Sequence, residues 1–196
     1  MKFAIQGLLG RCQALEIKSL STSSDIHTHP QHDPGCLNEG HNFLRPFINQ
    51  YSHALLIFDR QGSGSRESRE TLEKTTEALL SKNGWNDRAA AIVIDPCLEN
   101  WVWSDSPQVD AIAGWEGKKP DLRTWLTQQG HLKSGQSKPS QPKIALEEAL
   151  RQVGKQRSSV LFRKLAQKVS LERCSDPAFA KFRRVLREWF PFRKEN

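Results

Sequence analysis

Four carboxylates in the first part of the chain lie where a divalent cation could bind. Asp59 and Asp95 each end a short apolar run, and Glu99 and Asp105 follow soon after the second run. In open α/β sheets ligands bind beyond the carboxyl ends of the strands, where carboxylates can hold Mg²⁺ beside a phosphate. Converging carboxylates of this kind suit metal-assisted phosphodiester chemistry. The alternatives are turn residues for Asp59 and Asp105, and a helix N-cap for Asp95.

The elements that must position these carboxylates follow from apolar spacing. Continuous apolar runs at 52–59 and 89–95 are typical of strands buried on both faces. Residues 67–82 between them carry apolar side chains at helical spacing, which completes a βαβ unit. A further helix is predicted over 97–104, where Glu99 would lie one turn from the strand end. The fold class is therefore α/β, a small sandwich with a mostly parallel sheet.

A second group of metal-ligating residue types lies nearer the N-terminus. It comprises His27, His29, His32, Asp33, Cys36 and His41. Such a density of side chains could support Zn²⁺ ligation, but the spacing fits no standard Cys/His finger. The surrounding Thr, Pro and Gly residues favour an exposed loop.

Charge divides unevenly along the chain. Residues 1–117 carry 10 Lys/Arg and 15 Asp/Glu, a balance of −5, whereas residues 118–196 carry 19 and 7, a balance of +12. A strongly basic last part predicts a surface that contacts nucleic acid, with ordinary solvated helices as the alternative. The basic residues predicted to contact it are Arg163, Lys164, Lys168, Lys181, Arg183, Arg184 and Arg187.

Breaker residues suggest how the chain is divided. The segment 130–142 is rich in Gly, Ser and Pro and poor in apolar residues, which predicts a linker or mobile loop. It would separate an α/β domain at 1–129 from a basic helical part at 143–196. Helices are predicted there over 143–153, 158–168 and 176–189, with Asp176 as N-cap of the last.

Composition excludes several classes of protein. No run of about 18 apolar residues exists, so a membrane span is not expected. The first ten residues are too interrupted for a secretory signal. Four cysteines without a C-x-x-C pair favour reduced thiols and a cytoplasmic protein over a disulfide framework.

Two strings carry a resemblance to a known family. They are His53-Ala-Leu-Leu-Ile-Phe-Asp-Arg-Gln-Gly62 and Asp95-Pro-Cys-Leu-Glu-Asn-Trp-Val-Trp103. An apolar strand ending in Asp, followed by a strand and Pro-x-x-Glu-x-Trp, resembles the RloB-like branch of the TOPRIM proteins of bacterial phage defence. The whole chain resembles a small component of the methylation-associated defence systems.

The resemblance implies a TOPRIM-like fold and a nuclease dependent on Mg²⁺ or Mn²⁺. It implies Asp59 as metal ligand and Glu99 as an acidic active-site residue, with Asp95 and Asp105 as further ligands. Other proteins of the defence system would be partners. The chain departs from the family at Gln61, where a second Asp is usual, and it shows no acidic strand before its first helix.

These departures leave two hypotheses. An upstream segment supplies the missing strand and the protein is a metal-dependent nuclease, or the site is degenerate and the chain is a subunit that binds nucleic acid or a partner protein. A zinc enzyme built on His27, His29 and His32 is a third hypothesis.

Overall fold

The two apolar runs form a small parallel sheet. The structure is a computed structural model, and it describes residues 1–20, 25–104, 106–133 and 135–192. Strand β1 (Ala54–Asp59) alternates buried and half-buried side chains, whereas β2 (Ala89–Ile94) is buried along nearly its whole length. They pair in parallel from Ala54 opposite Ala89 to Asp59 opposite Ile94. The α/β class is thereby confirmed, with two strands in the described sheet.

The described residues divide into two compact units, and the sheet belongs to the one made of residues 27–97 and 177–190. We call it the sheet unit. Its core joins Leu56, Phe58 and Val93 of the strands to Leu72 and Trp85. Its helices are α3 (His32–Leu44), α4 (Arg60–Ser63), α5 (Arg69–Leu80) and α11 (Pro177–Trp189). Short helical turns lie at Arg45–Phe47, Ser81–Trp85 and Asn86–Arg88.

Two glutamates of α5 close the outer edge of β2. The N–H of Ala91 donates to Glu77 Oε1 at 3.0 Å, and the N–H of Val93 donates to Glu73 Oε1 at 3.1 Å. Four residues of helix rise about 6 Å and two residues of strand rise about 6.6 Å, so this spacing lets both glutamates meet alternate amides. Buried amides without an acceptor are costly, and here carboxylates satisfy them.

Two cations compensate the charge that these glutamates bring inside. Lys181 Nζ of α11 lies 3.0 Å from Glu73 Oε2 and 2.7 Å from Glu77 Oε1. Arg69 Nη1 lies 2.9 Å from Glu73 Oε2. Both cationic side chains are mostly buried, with 16% and 15% exposed for Lys181 and Arg69. This carboxylate cap, formed by Glu73, Glu77, Lys181 and Arg69, joins α5 and α11 to the edge of the sheet.

The second unit contains the described parts of residues 1–26, 98–176 and 191–196. We call it the helical unit. An isolated antiparallel bridge links Ile17 and Pro191. Its helices are α1 (Lys2–Leu9), α2 (Cys12–Leu15), α6 (Glu99–Val102), α7 (Pro107–Ala113), α8 (Leu122–Gln128), α9 (Pro142–Gln152) and α10 (Ser159–Lys168).

Helix α10 is held in place by close contact with the N-terminal segment. A side chain at Gly7 of α1 would place its Cβ 2.8 Å from the carbonyl oxygen of Arg163, so the absence of one permits the close approach. Arg11 Nη1 donates to the carbonyls of Ala166 and Val169 at 3.1 and 2.7 Å. Ser158 caps the helix by accepting from the Leu161 N–H at 3.2 Å.

Most predicted elements occur with shorter bounds. The strand predicted over 52–59 begins at Ala54, and the helix predicted over 97–104 covers only Glu99–Val102. The division at residues 129 and 142 stays a sequence-based prediction. Among the described residues, no helix is long and apolar enough to cross a membrane.

The carboxylate cap should carry much of the stability of the sheet unit. We expect Glu73→Ala to lower the free energy of unfolding by about 3 kcal/mol, because it strands a buried amide and buried cations. Glu73→Gln keeps an acceptor for the Val93 N–H and should lower the free energy of unfolding by less. Urea denaturation measures both, with Glu67→Ala as a control on an exposed carboxylate of the same unit. Equal effects of Glu73→Ala and Glu67→Ala would contradict the role of the cap.

Candidate functional site

The carboxyl end of β1 carries an acidic pair. Asp59 ends the strand, and its N–H donates to Oδ1 of Asp33 at 3.2 Å. Asp33 lies in the first turn of α3, a favourable place for a negative charge near the helix N-terminus. The sequence had linked Asp33 only to the histidine-rich segment. The structure instead places it at the strand end, 26 residues before Asp59.

A glycine leaves room for this pair. Any Cβ at Gly62 would collide with the carboxylate of Asp33. Gly62 lies in α4, directly after the strand, and the N–H of Gln61 donates to the carbonyl of Pro96 at 2.9 Å. The glycine after Asp59 therefore has a steric role, since it lets the backbone approach Asp33 closely.

The third carboxylate at this edge is already paired with a cation. Arg60 Nε donates to Asp95 Oδ1 at 2.7 Å, with 30% and 40% of the two side chains exposed. This ion pair links the residues that follow β1 and β2. It also reduces the negative charge that Asp95 would offer to a metal ion.

The predicted metal ligands are divided between the two units. Asp59 and Asp95 belong to the sheet unit, Glu99 belongs to the helical unit, and Asp105 lies outside the described residues. Within the described parts of the chain, no three His, Cys, Asp or Glu side chains are placed to hold a metal ion. At the end of β1 the Asp33 carboxylate meets the backbone N–H of Asp59, and both residues have oxygen donors of the type that a hard cation such as Mg²⁺ prefers.

The histidines pack against aromatic rings of the same unit. His27 stacks on Phe47 with 4.5 Å between ring centroids, and His29 meets the edge of Phe43 at 4.9 Å. His29 Nδ1 also accepts from the Gln31 N–H at 3.1 Å. His27 and His29 thus pack against rings, and the exposed loop predicted for this segment is wrong from His32 onward, where the chain forms α3.

Cys36, next to this segment, is a protonated thiol at neutral pH. Burial, together with the charge of Asp33, raises the pKa of Cys36 to about 11. Because the thiolate is the nucleophile and the metal ligand, a thiol with this pKa is poorly suited to either task.

Glu99 is fully buried in the helical unit and forms an ion pair. Its carboxylate Oε1 lies 2.5 Å from Arg157 Nη2, while its side chain is 1% exposed. The Arg157 guanidinium also lies 5.2 Å from the centre of the Phe162 ring. A buried carboxylate requires such a cation, so the structure explains Glu99 by charge compensation within its own unit.

Asp176 is a second buried acid of the helical unit, which the sequence predicted only as a helix cap. It accepts from Trp101 Nε1 at 2.9 Å and from Asn100 Nδ2 at 2.6 Å. It therefore fixes the helix that carries Glu99. The Asn and Trp that follow Glu99 were the available signal, since a buried indole N–H needs an acceptor.

The cations predicted on α10 are exposed on one side of the helix. Arg163, Lys164 and Lys168 are exposed, whereas Leu161 and Leu165 are buried. None of the three cations forms an ion pair with any residue in the part of the chain that the structure describes. We call these three residues the α10 cationic face.

The cations predicted on α11 have different surroundings. Lys181 belongs to the carboxylate cap, and Arg184 pairs with Glu188 at 3.2 Å on the surface. Arg183, Arg184 and Arg187 line an open depression of about 420 Å³. This surface carries cationic charge, but less of it is available than residue types alone predict.

No protein-family model, curated protein or solved structure matches this chain. Function is therefore argued from the sites themselves.

The pair between Glu99 and Arg157 yields a stability prediction. We expect Arg157→Ala to lower the free energy of unfolding by about 2–3 kcal/mol, because the buried carboxylate loses its cation. Adding Glu99→Gln to that variant should restore part of the loss. Thermal or urea unfolding measures the cycle, with Arg151→Ala as a control on an exposed arginine of α9. Simple additivity of the two changes would refute the coupling.

Proposed function

We propose that this chain is a nucleic-acid-binding component of a bacterial anti-phage defence system. The observation that carries binding is the α10 cationic face, whose charges are exposed and free of intramolecular ion pairs among the described residues. The balance of +12 over residues 118–196 supports it. The assignment to defence, with other proteins of such a system as partners, rests on the resemblance of the sequence to the RloB-like TOPRIM proteins.

The spacing of the α10 cationic face suits a phosphate backbone. At 100° per residue, positions 163, 164 and 168 fall within about 140° of the helix circumference. Cations presented this way neutralise phosphates and release condensed counterions, which gives affinity without reading sequence. The buried opposite side of the helix holds these side chains on a fixed support. We expect binding with little sequence preference.

The binding proposal is tested by removing the α10 charges. The triple variant Arg163→Ala, Lys164→Ala, Lys168→Ala should lower affinity for a DNA or RNA duplex on the order of 100-fold at 0.1 M salt. Fluorescence anisotropy measures the affinity. The control is Lys118→Ala, Lys119→Ala, Lys133→Ala, which removes the same charge from other exposed positions of the helical unit. Equal losses in both variants would show that net charge, and not this face, drives binding.

A second candidate function is a nuclease dependent on Mg²⁺ or Mn²⁺, with a TOPRIM-like fold. Asp33 lies close to Asp59, and this contact favours the nuclease. Asp33 would supply the second acid that the family usually has at the position of Gln61. Mg²⁺ is often bound by only one or two carboxylates, and water molecules and substrate phosphate supply its other ligands. Asp33 and Asp59 would hold the cation, and its chemistry there would be Lewis-acid activation of the phosphodiester.

The nuclease candidate predicts cleavage that depends on both acids. Wild-type protein with DNA or RNA in Mg²⁺ or Mn²⁺ should give products on a denaturing gel. Asp59→Asn and Asp33→Asn should abolish cleavage while binding persists, since neither residue lies on α10. Asp87→Asn, at an exposed site of the same unit, is the control. Binding without cleavage by the wild type under all these conditions would reject the nuclease and leave the binding subunit.

A further inference from the structure

The two edges of the sheet are treated differently. The outer edge of β2 is closed because Glu73 and Glu77 accept its outward N–H groups. Closed edges of this kind prevent another strand from pairing there. Any extension of the sheet must therefore occur at β1.

The outer edge of β1 is open over two residues. Since Ala91 and Val93 point their N–H groups away from β1, the parallel register makes Ala54, Leu56 and Phe58 face β2. Leu55 and Ile57 then direct their N–H and C=O groups outward. Among the residues that the structure describes, none hydrogen-bonds to these four groups. The next outward N–H, of Asp59, is taken by Asp33.

This edge is complementary to itself. In an antiparallel pairing with a two-fold axis at Leu56, Leu55 lies opposite Ile57 of the partner subunit, so four backbone hydrogen bonds form. The two side chains are half-buried and apolar, which makes them a favourable cross-strand pair. The next outward N–H, of Asp59, already donates to the Asp33 carboxylate of its own chain, so the pairing is confined to these two positions. The apolar positions thus match in one register.

We propose that a second copy of this chain pairs with the β1 edge and forms a symmetric dimer. The dimer has a continuous four-stranded sheet, in the order β2, β1, β1 of the partner, β2 of the partner. Sheets of four to six strands are the common size, whereas two strands alone are marginal.

Solution mass and edge variants test the dimer. Light scattering after gel filtration should give the wild type twice the chain mass of 22.3 kDa at micromolar concentration. Leu55→Lys and Ile57→Lys should give the monomer mass, with unchanged circular dichroism. Val160→Lys, at an apolar side chain that is 62% exposed on α10, is the matched control and should stay dimeric. A monomeric wild type, or Lys variants that remain dimeric, would overturn the proposal.

Cross-linking covers the case in which the lysine variants fail to fold. A mixture of Leu55→Cys and Ile57→Cys proteins should give a disulfide-linked dimer above the wild-type background, because paired residues of adjacent strands lie about 5.5 Å apart at Cα. Each variant alone should not form this disulfide, because the two identical cysteines of the dimer are then not opposite each other on the paired strands. Equal cross-linking in the mixture and in the separate variants would overturn the register.

Discussion

The acceptance of two strand amides by Glu73 and Glu77 is the interaction on which the sheet unit depends. A parallel strand at the edge of a sheet has outward N–H groups that must find acceptors when the strand is buried. Carboxylates from α5 meet this need, and their charge in turn requires Lys181 and Arg69. One backbone requirement thereby fixes the places of α5 and α11 and leaves β1 as the open edge.

The same logic explains how the chain uses its acids. Glu73, Glu99 and Asp176 are buried, and each has polar or cationic partners inside its own unit. Of these three, the sequence suggested only Glu99 as a ligand, and Arg157 compensates its buried charge. On α10, three basic residues remain on the surface without an ion pair to any described residue. The division between structural acids and surface cations is what supports a phosphate-binding role.

The sequence predicted the strands and the helices α5, α9, α10 and α11 well, because apolar spacing reflects burial directly, whereas α3 has little apolar spacing and most of it was predicted as a loop. For the same reason the sequence predicted the place of Asp59 at the strand end, as the first polar residue after a buried run. Asp33 was missed because it reaches the strand end from a segment whose histidines suggested zinc. The partner of Glu99 was missed because spacing along the chain does not show which distant arginine a buried acid will meet. The sequence shows Glu73 and Glu77 four residues apart. Only the position of β2 in the structure shows that they accept hydrogen bonds from its amides.

The central claim is that exposed cations on α10 bind phosphates while the acids maintain the fold. The most direct measurement is the slope of the logarithm of the nucleic-acid affinity against the logarithm of salt concentration. Each neutralised phosphate contributes about −0.9 to that slope. Loss of Arg163, Lys164 and Lys168 should make the slope shallower by about 2.7, which is three contacts at that value. An unchanged slope would contradict it.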